Sequence, residues 1–210
     1  MKPHIVLDND RVSVEKIVVQ PGERIAAHTG TLDRLLVFLK GGVLRASDGR
    51  SIWWREGRVV WQGAHDERGC GAVAGINAGQ APIELIGVTL KPIERPMRRG
   101  SMNARGCSPL DYPRVPGEDL LENDRLMVQR FTVNPGQWEG VHAHHQNTLY
   151  IHIKGGQWAV RSKNEPEHIY DEASPDGEVG WMDVIDLSEG HESGNAGPEP
   201  IDLIWVSFKQ

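Results

Sequence analysis

The chain has 210 residues, with 23 Lys and Arg against 29 Asp and Glu and a formal net charge of −6, a length that suits one large or two small soluble domains. The mildly acidic balance, with basic residues clustered at one place only, argues against nucleic acid as a partner. No apolar run is long enough to span a bilayer. Residues 1–10 lack an apolar segment before a cleavage site, so a cytoplasmic protein without a signal peptide is expected. Cys70 and Cys107 are the only cysteines; they define no disulfide framework and read as two unrelated reduced thiols.

The chain reads as a duplication. Residues 7–22, LDNDRVSVEKIVVQPG, recur as residues 121–136, LENDRLMVQRFTVNPG. The match runs without a gap through His28 against His142 to Lys40, Gly41 and Gly42 against Lys154, Gly155 and Gly156. It returns near the end of each half, where NAGQAPIELI at 77–86 corresponds to NAGPEPIDLI at 195–204.

In chain order, Val/Ile/Leu-rich alternating runs predict strands at 12–19, 35–39, 43–46, 52–54, 58–61 and 83–90, and again at 126–133, 148–153, 157–161, 167–170, 179–182 and 201–208. They are punctuated by Pro-Gly, Gly-Gly and Asp-Gly, which is strand-and-turn vocabulary. No long amphipathic helix shows at the 3.6-residue period. An all-β chain of two antiparallel barrels follows, at 1–91 and 118–210, joined by a Pro- and Gly-rich linker at 92–117. The linker's Arg95, Arg98, Arg99 and Arg105 form the basic cluster; it is an anion site, a lid, or a solvated connector pairing with the acidic body.

The chemistry concentrates between Gly136 and Gly156. His142 and His144 are one residue apart, which on an extended strand turns both imidazoles to one face. Two neutral imidazoles on one face can share a metal ion, and His191 offers a third. Gly136, five residues, His142, one residue, His144, then Gly155, followed by Gly180, His191 and Asn195, resembles the paired motifs of the cupin superfamily. The resemblance covers most of the chain as a bicupin, two tandem cupin-type antiparallel barrels of the jelly-roll or double-stranded β-helix kind. It implies His142, His144 and His191 as metal ligands. Thr148 occupies the slot where the family places a Glu ligand, and Asp186 and Ser188 replace the Pro and Gly that usually precede the last His. Asn147 and Gln146 are weaker stand-ins for the missing carboxylate.

The first half differs where chemistry would sit. Gly30 stands at the position of His144, Arg34 at that of Thr148 and Val73 at that of His191. A lone His28 beside a permanently charged guanidinium is a poor cation site, so the N-terminal barrel is expected to be metal-free. Alternation from Thr148 turns Tyr150 and His152 inward. The matching residues are Leu36 and Phe38, so a polar interior faces a greasy copy. The same parity puts Trp138 and Gly140 on the His142 face, with Trp138 as a pocket wall beside Thr148, and leaves His145 on the other. Glu192 should face away from the site, and Asp183 or Asp186 could orient an imidazole.

Three neutral imidazoles would leave a divalent ion at +2 with open positions. Three-histidine iron centres in the family belong to thiol and ring-cleaving dioxygenases, so the resemblance implies a non-haem dioxygenase-like oxidoreductase acting on a small organic anion. Fe(II) is the favoured cofactor, with Mn, Ni, Zn or Cu as alternatives. Tyr150 and His152 are the candidate catalytic residues. A metal-assisted isomerase or lyase with His152 as base is the alternative enzyme, and a ligand-binding or structural bicupin the non-catalytic one. The expected partners are a small-molecule substrate and a second copy in a homodimer, with neither nucleic acid nor membrane.

Overall fold

The computed structural model describes residues 4–28, 30–64, 73–92, 112, 114–162, 166–185 and 190–209. Cys70, Cys107, Asp186, Ser188 and the four linker arginines lie outside them. Two compact units divide the chain, Met1–Glu94 and Arg95–Gln210. Every strand pairing is antiparallel. Among the described residues no helix is long and apolar enough to cross a membrane.

The first unit contains β1 (His4–Asp8), β2 (Val12–Val19), β3 (Arg24–Ile25), β4 (Arg34–Lys40), β5 (Gly42–Arg45), β6 (Ser51–Trp54), β7 (Val59–Gln62), β8 (Gly75–Asn77) and β9 (Ile83–Leu90). They form a five-stranded sheet in the order β1-β2-β9-β4-β7 and a four-stranded one in the order β3-β8-β5-β6. The second unit contains β10 (Glu118–Glu122), β11 (Leu126–Val133), β12 (Thr148–Lys154), β13 (Trp158–Ser162), β14 (His168–Ile169), β15 (Val179–Met182), β16 (His191–Asn195) and β17 (Ile201–Phe208). Its sheets run β10-β11-β17-β12-β15 and β14-β13-β16.

The repeat is copied into the register. β2 pairs β9 from Val12↔Leu90 to Val19↔Ile83 as β11 pairs β17 from Leu126↔Phe208 to Val133↔Ile201. Both central strands slip at the same place, between Phe38 and Lys40 and between His152 and Lys154. The repeated Asn-Ala-Gly has a physical reason. Asn77 Nδ2 donates to the carbonyls of Val19 and Ala81 while its Oδ1 accepts from Gly79 N. Asn195 does the same with Val133, Glu199 and Gly197. Each buried amide satisfies backbone groups at a corner where no ladder reaches. The repeated Gly-Gly is steric: a Cβ on Gly155 would lie 1.8 Å from the Ser174 carbonyl oxygen and one on Gly41 2.1 Å from that of Trp54.

The interiors differ. The first unit fills its core with Ile17, Val19, Ile25, Leu36, Phe38, Leu44, Val73, Ile83 and Leu85, with Phe38 stacked 5.0 Å from Trp54. The second unit's cluster is Tyr112, Val115, Phe131, Val133, Ile201, Leu203 and Trp205. Tyr112 and Val115 fall in the stretch read as a linker, yet are only 4% and 2% exposed.

Candidate metal centre

His142 and His144 lie outside any named strand, in contrast to the extended strand expected of them. Single bridges hold them instead. His142 exchanges both backbone hydrogen bonds with His191, at 3.0 and 3.2 Å, and His144 both with Ile185, at 3.0 and 2.9 Å. The directly opposed antiparallel pair brings the third histidine beside the first. All three offer ligand nitrogens within 4.8 Å of one another. His142 Nε2 and His144 Nε2 are 3.2 Å apart, and the His142 and His191 rings are 4.6 Å apart between centroids.

Burial keeps the cluster neutral. It is the main cause that lowers His142 to about 4, opposed by the Gly140 contact and reinforced by His191. It also lowers His144 to about 2, helped by the neighbouring imidazoles, and moves His191 downward. His142 Nδ1 lies 2.8 Å from the Gly140 carbonyl. A carbonyl only accepts, so the proton sits on Nδ1 and Nε2 keeps its lone pair for a ligand. Neutral, converging imidazoles, with the His142 tautomer fixed by Gly140, fit a divalent ion.

The cluster opens on a cavity of about 540 Å³. Tyr150 and His152 line it, as parity on β12 anticipated, together with Tyr112, Glu139, Trp158 and Trp205. Burial, reinforced by Glu178 and Tyr170, raises the Tyr150 phenol, so it carries its proton. His152 Nε2 accepts from Trp158 Nε1–H at 3.1 Å. Indole is a donor only, which places any imidazole proton on Nδ1, 3.3 Å from the Glu178 carboxylate. Burial lowers the pKa of His152 against the opposing pull of Glu178.

Trp138 and Thr148 are not among the lining residues. Gly140 has φ of +88°, and this left-handed residue breaks the alternation on which Trp138 was placed. The Trp138 ring sits instead under the Arg161 guanidinium at 3.9 Å and against Gly194. Thr148 Oγ1 donates to the Gln146 carbonyl. Asn147 and Trp181 reach Asp183 Oδ1 at 3.4 and 3.2 Å, so Asp183 holds an amide and an indole. Glu192 accepts from Arg114, Arg161 and Gly140 N.

Two residues at the site were missed. Glu139 is 1% exposed and its Oε2 lies 4.0 Å from His142 Nε2. Burial, then the Glu192 charge, raises its carboxyl well above the usual range, with Ser193 opposing. The repeat held a signal for it, because the matching residue is Ile25. Tyr112, 4.5 Å from the His142 ring, has a buried hydroxyl without a hydrogen-bond partner among the described residues. Its Pro- and Gly-rich surroundings gave no pattern by which to find it.

No family model matches the sequence, and no curated protein matches it. Solved structures do match. A cupin 2 conserved barrel domain protein from Leptotrichia buccalis is 12% identical at a TM-score of 0.55, covering 99% of this chain and 88% of that one. Oxalate decarboxylase from Lactobacillus farciminis, in its formate complex, is 14% identical at 0.58, covering 96% and 78%. The chain has the bicupin fold. Oxalate decarboxylase from Bacillus subtilis, with Mn(II) centres, is 12% identical at 0.55, covering 94% and 69%. This bicupin carries its three-histidine cluster in the second lobe. In the first lobe His28 Nε2 contacts the Leu32 carbonyl at 2.7 Å, and Val73 is packed in hydrocarbon.

Proposed function

We propose that this bicupin is a metal-dependent oxidoreductase, dioxygenase-like, acting on a small organic anion with an aromatic or hydroxy-acid skeleton. The observation that carries the reading is the convergence of His142, His144 and His191 on a cavity walled by Tyr150, Trp158 and Trp205. A divalent ion on those imidazoles, Fe(II) in this reading, supplies a Lewis acid for a chelating anion and electron exchange with dioxygen. Among the described residues no Lys or Arg lines the cavity, so the protein leaves the anionic end of a substrate to the cation site.

The rings do the rest. Trp158 is held by its bond to His152 and presents a fixed apolar wall. Tyr150 stands 5.8 Å from Trp205 and 5.4 Å from His152, centroid to centroid, with a protonated hydroxyl available to a substrate oxygen. His152 has its Nε2 lone pair engaged, so its part is to position Trp158 rather than to abstract a proton. That weighs against an isomerase with His152 as base. Oxygen uptake by iron-loaded protein against a panel of aromatic and aliphatic hydroxy acids tests the proposal. Uptake with one class, abolished in His191→Ala, is expected. Substrate turnover without oxygen consumption would replace it with isomerase or lyase chemistry.

A further inference from the structure

We propose that Glu139 is a fourth ligand of the ion, a carboxylate supplied from before the first histidine instead of from the slot occupied by Thr148. The inference rests on the reading of His142, His144 and His191 as ligands and deepens it.

The position is built rather than incidental. Glu139 N donates to the Ser193 carbonyl at 2.9 Å, and the neighbouring Trp138 bridges Gly194. The backbone of Glu139 is thereby tied to β16, the strand that carries His191. The side chain is 1% exposed and lines the cavity with the three histidines. Its Oε2 is 4.0 Å from His142 Nε2. Two donors each bound at about 2.1 Å to one ion lie no more than about 4.2 Å apart, so the pair with His142 is within reach of a shared ion, while the carboxyl would turn further to join His144 and His191, the other members of the converging group. Its Oε1 is buried without a hydrogen-bond partner among the described residues. The two nearby guanidinium groups, Arg114 and Arg161, are engaged by Glu192. A carboxylate buried among rings and lacking a cation is costly, and a divalent ion on the imidazoles would provide one.

The duplicate supplies an internal control. Ile25 pairs Gly75 and Arg24 pairs Ile76 in the first lobe, which is the register of Glu139 opposite Ser193 and Trp138 opposite Gly194 in the second. Ile25 is 5% exposed, within the hydrocarbon core. The carboxylate is thus absent from the same lobe that has Gly30 and Val73 in place of two histidines. Three of the four positions differ together: one lobe offers three imidazoles and a carboxyl, and the other keeps only His28 at those positions.

The test compares Glu139→Gln with the unaltered chain and with His191→Ala by Mn(II) binding in chelator competition and by Co(II) visible absorption, both independent of turnover. Glu139→Gln is expected to keep one binding site per chain but lose at least about tenfold in Mn(II) affinity, and to shift the Co(II) bands. Equal affinity and unchanged bands in a folded Glu139→Gln would overturn the fourth-ligand assignment. Retention of the ion by His191→Ala would instead overturn the underlying triad. Should Glu139→Gln not fold, Glu139→Ile, the side chain that the other lobe accommodates, carries the same comparison.

Discussion

Acidification of the metal-free protein should weaken the second lobe between neutral pH and pH 4. Three buried histidines there, His142, His144 and His152, and the half-buried His191 have folded-state pKa values lowered by burial. Unfolding returns each to about 6.5. Below that value the unfolded chain binds protons that the folded chain refuses, so stability present above pH 6.5 is lost as pH falls. For His142, folded at about 4, and His144, folded at about 2, the loss at pH 5 is about 2 kcal/mol each. Together that is about 4 kcal/mol, a large part of the 5–15 kcal/mol that holds a typical domain. Urea unfolding after chelation, followed by tryptophan fluorescence at pH 7.5, 6 and 5, measures it. A His142→Gln/His144→Gln double variant should show a visibly shallower pH slope. A slope identical to that of the unaltered chain would refute the argument.

Asn195→Ala removes two donated and one accepted hydrogen bond at a buried corner and should cost about 3 kcal/mol, read as a lower urea midpoint. His28→Ala should leave metal content unchanged by elemental analysis, because its Nε2 is engaged by the Leu32 carbonyl; loss of the ion would move the centre to the first lobe. In Gly180→Ala the new Cβ would lie 2.2 Å from the Tyr150 phenol. The ring must swing aside, so turnover should fall while ion content holds.

The eight-residue strands were legible because both copies spell them with Val, Ile and Leu; 12–19, 83–90, 126–133 and 201–208 agree to the residue, as does the four-residue 179–182. The short or exposed strands β1, β3, β8, β10 and β16 were not found. Residues 24–25 and 75–77 are too brief for a period to show, and 118–122 begins with two exposed acids. At the site, the histidine spacing and the polar face of β12 could be read. Glu139 could not, because one left-handed glycine reverses the facing of everything before it. Tyr112 depends on a chain return that no local pattern encodes.

The Asn77 and Asn195 corners bind only main-chain atoms, so each lobe closes its frame without reference to what the frame encloses. That makes the interior exchangeable. Rebuilding the centre in the first lobe would call for Ile25→Glu, Gly30→His and Val73→His around the existing His28. The obstacle is local: a Cβ on Gly30 would come within 2.7 Å of the His28 ring, so that imidazole must first let go of the Leu32 carbonyl and turn toward its new neighbours.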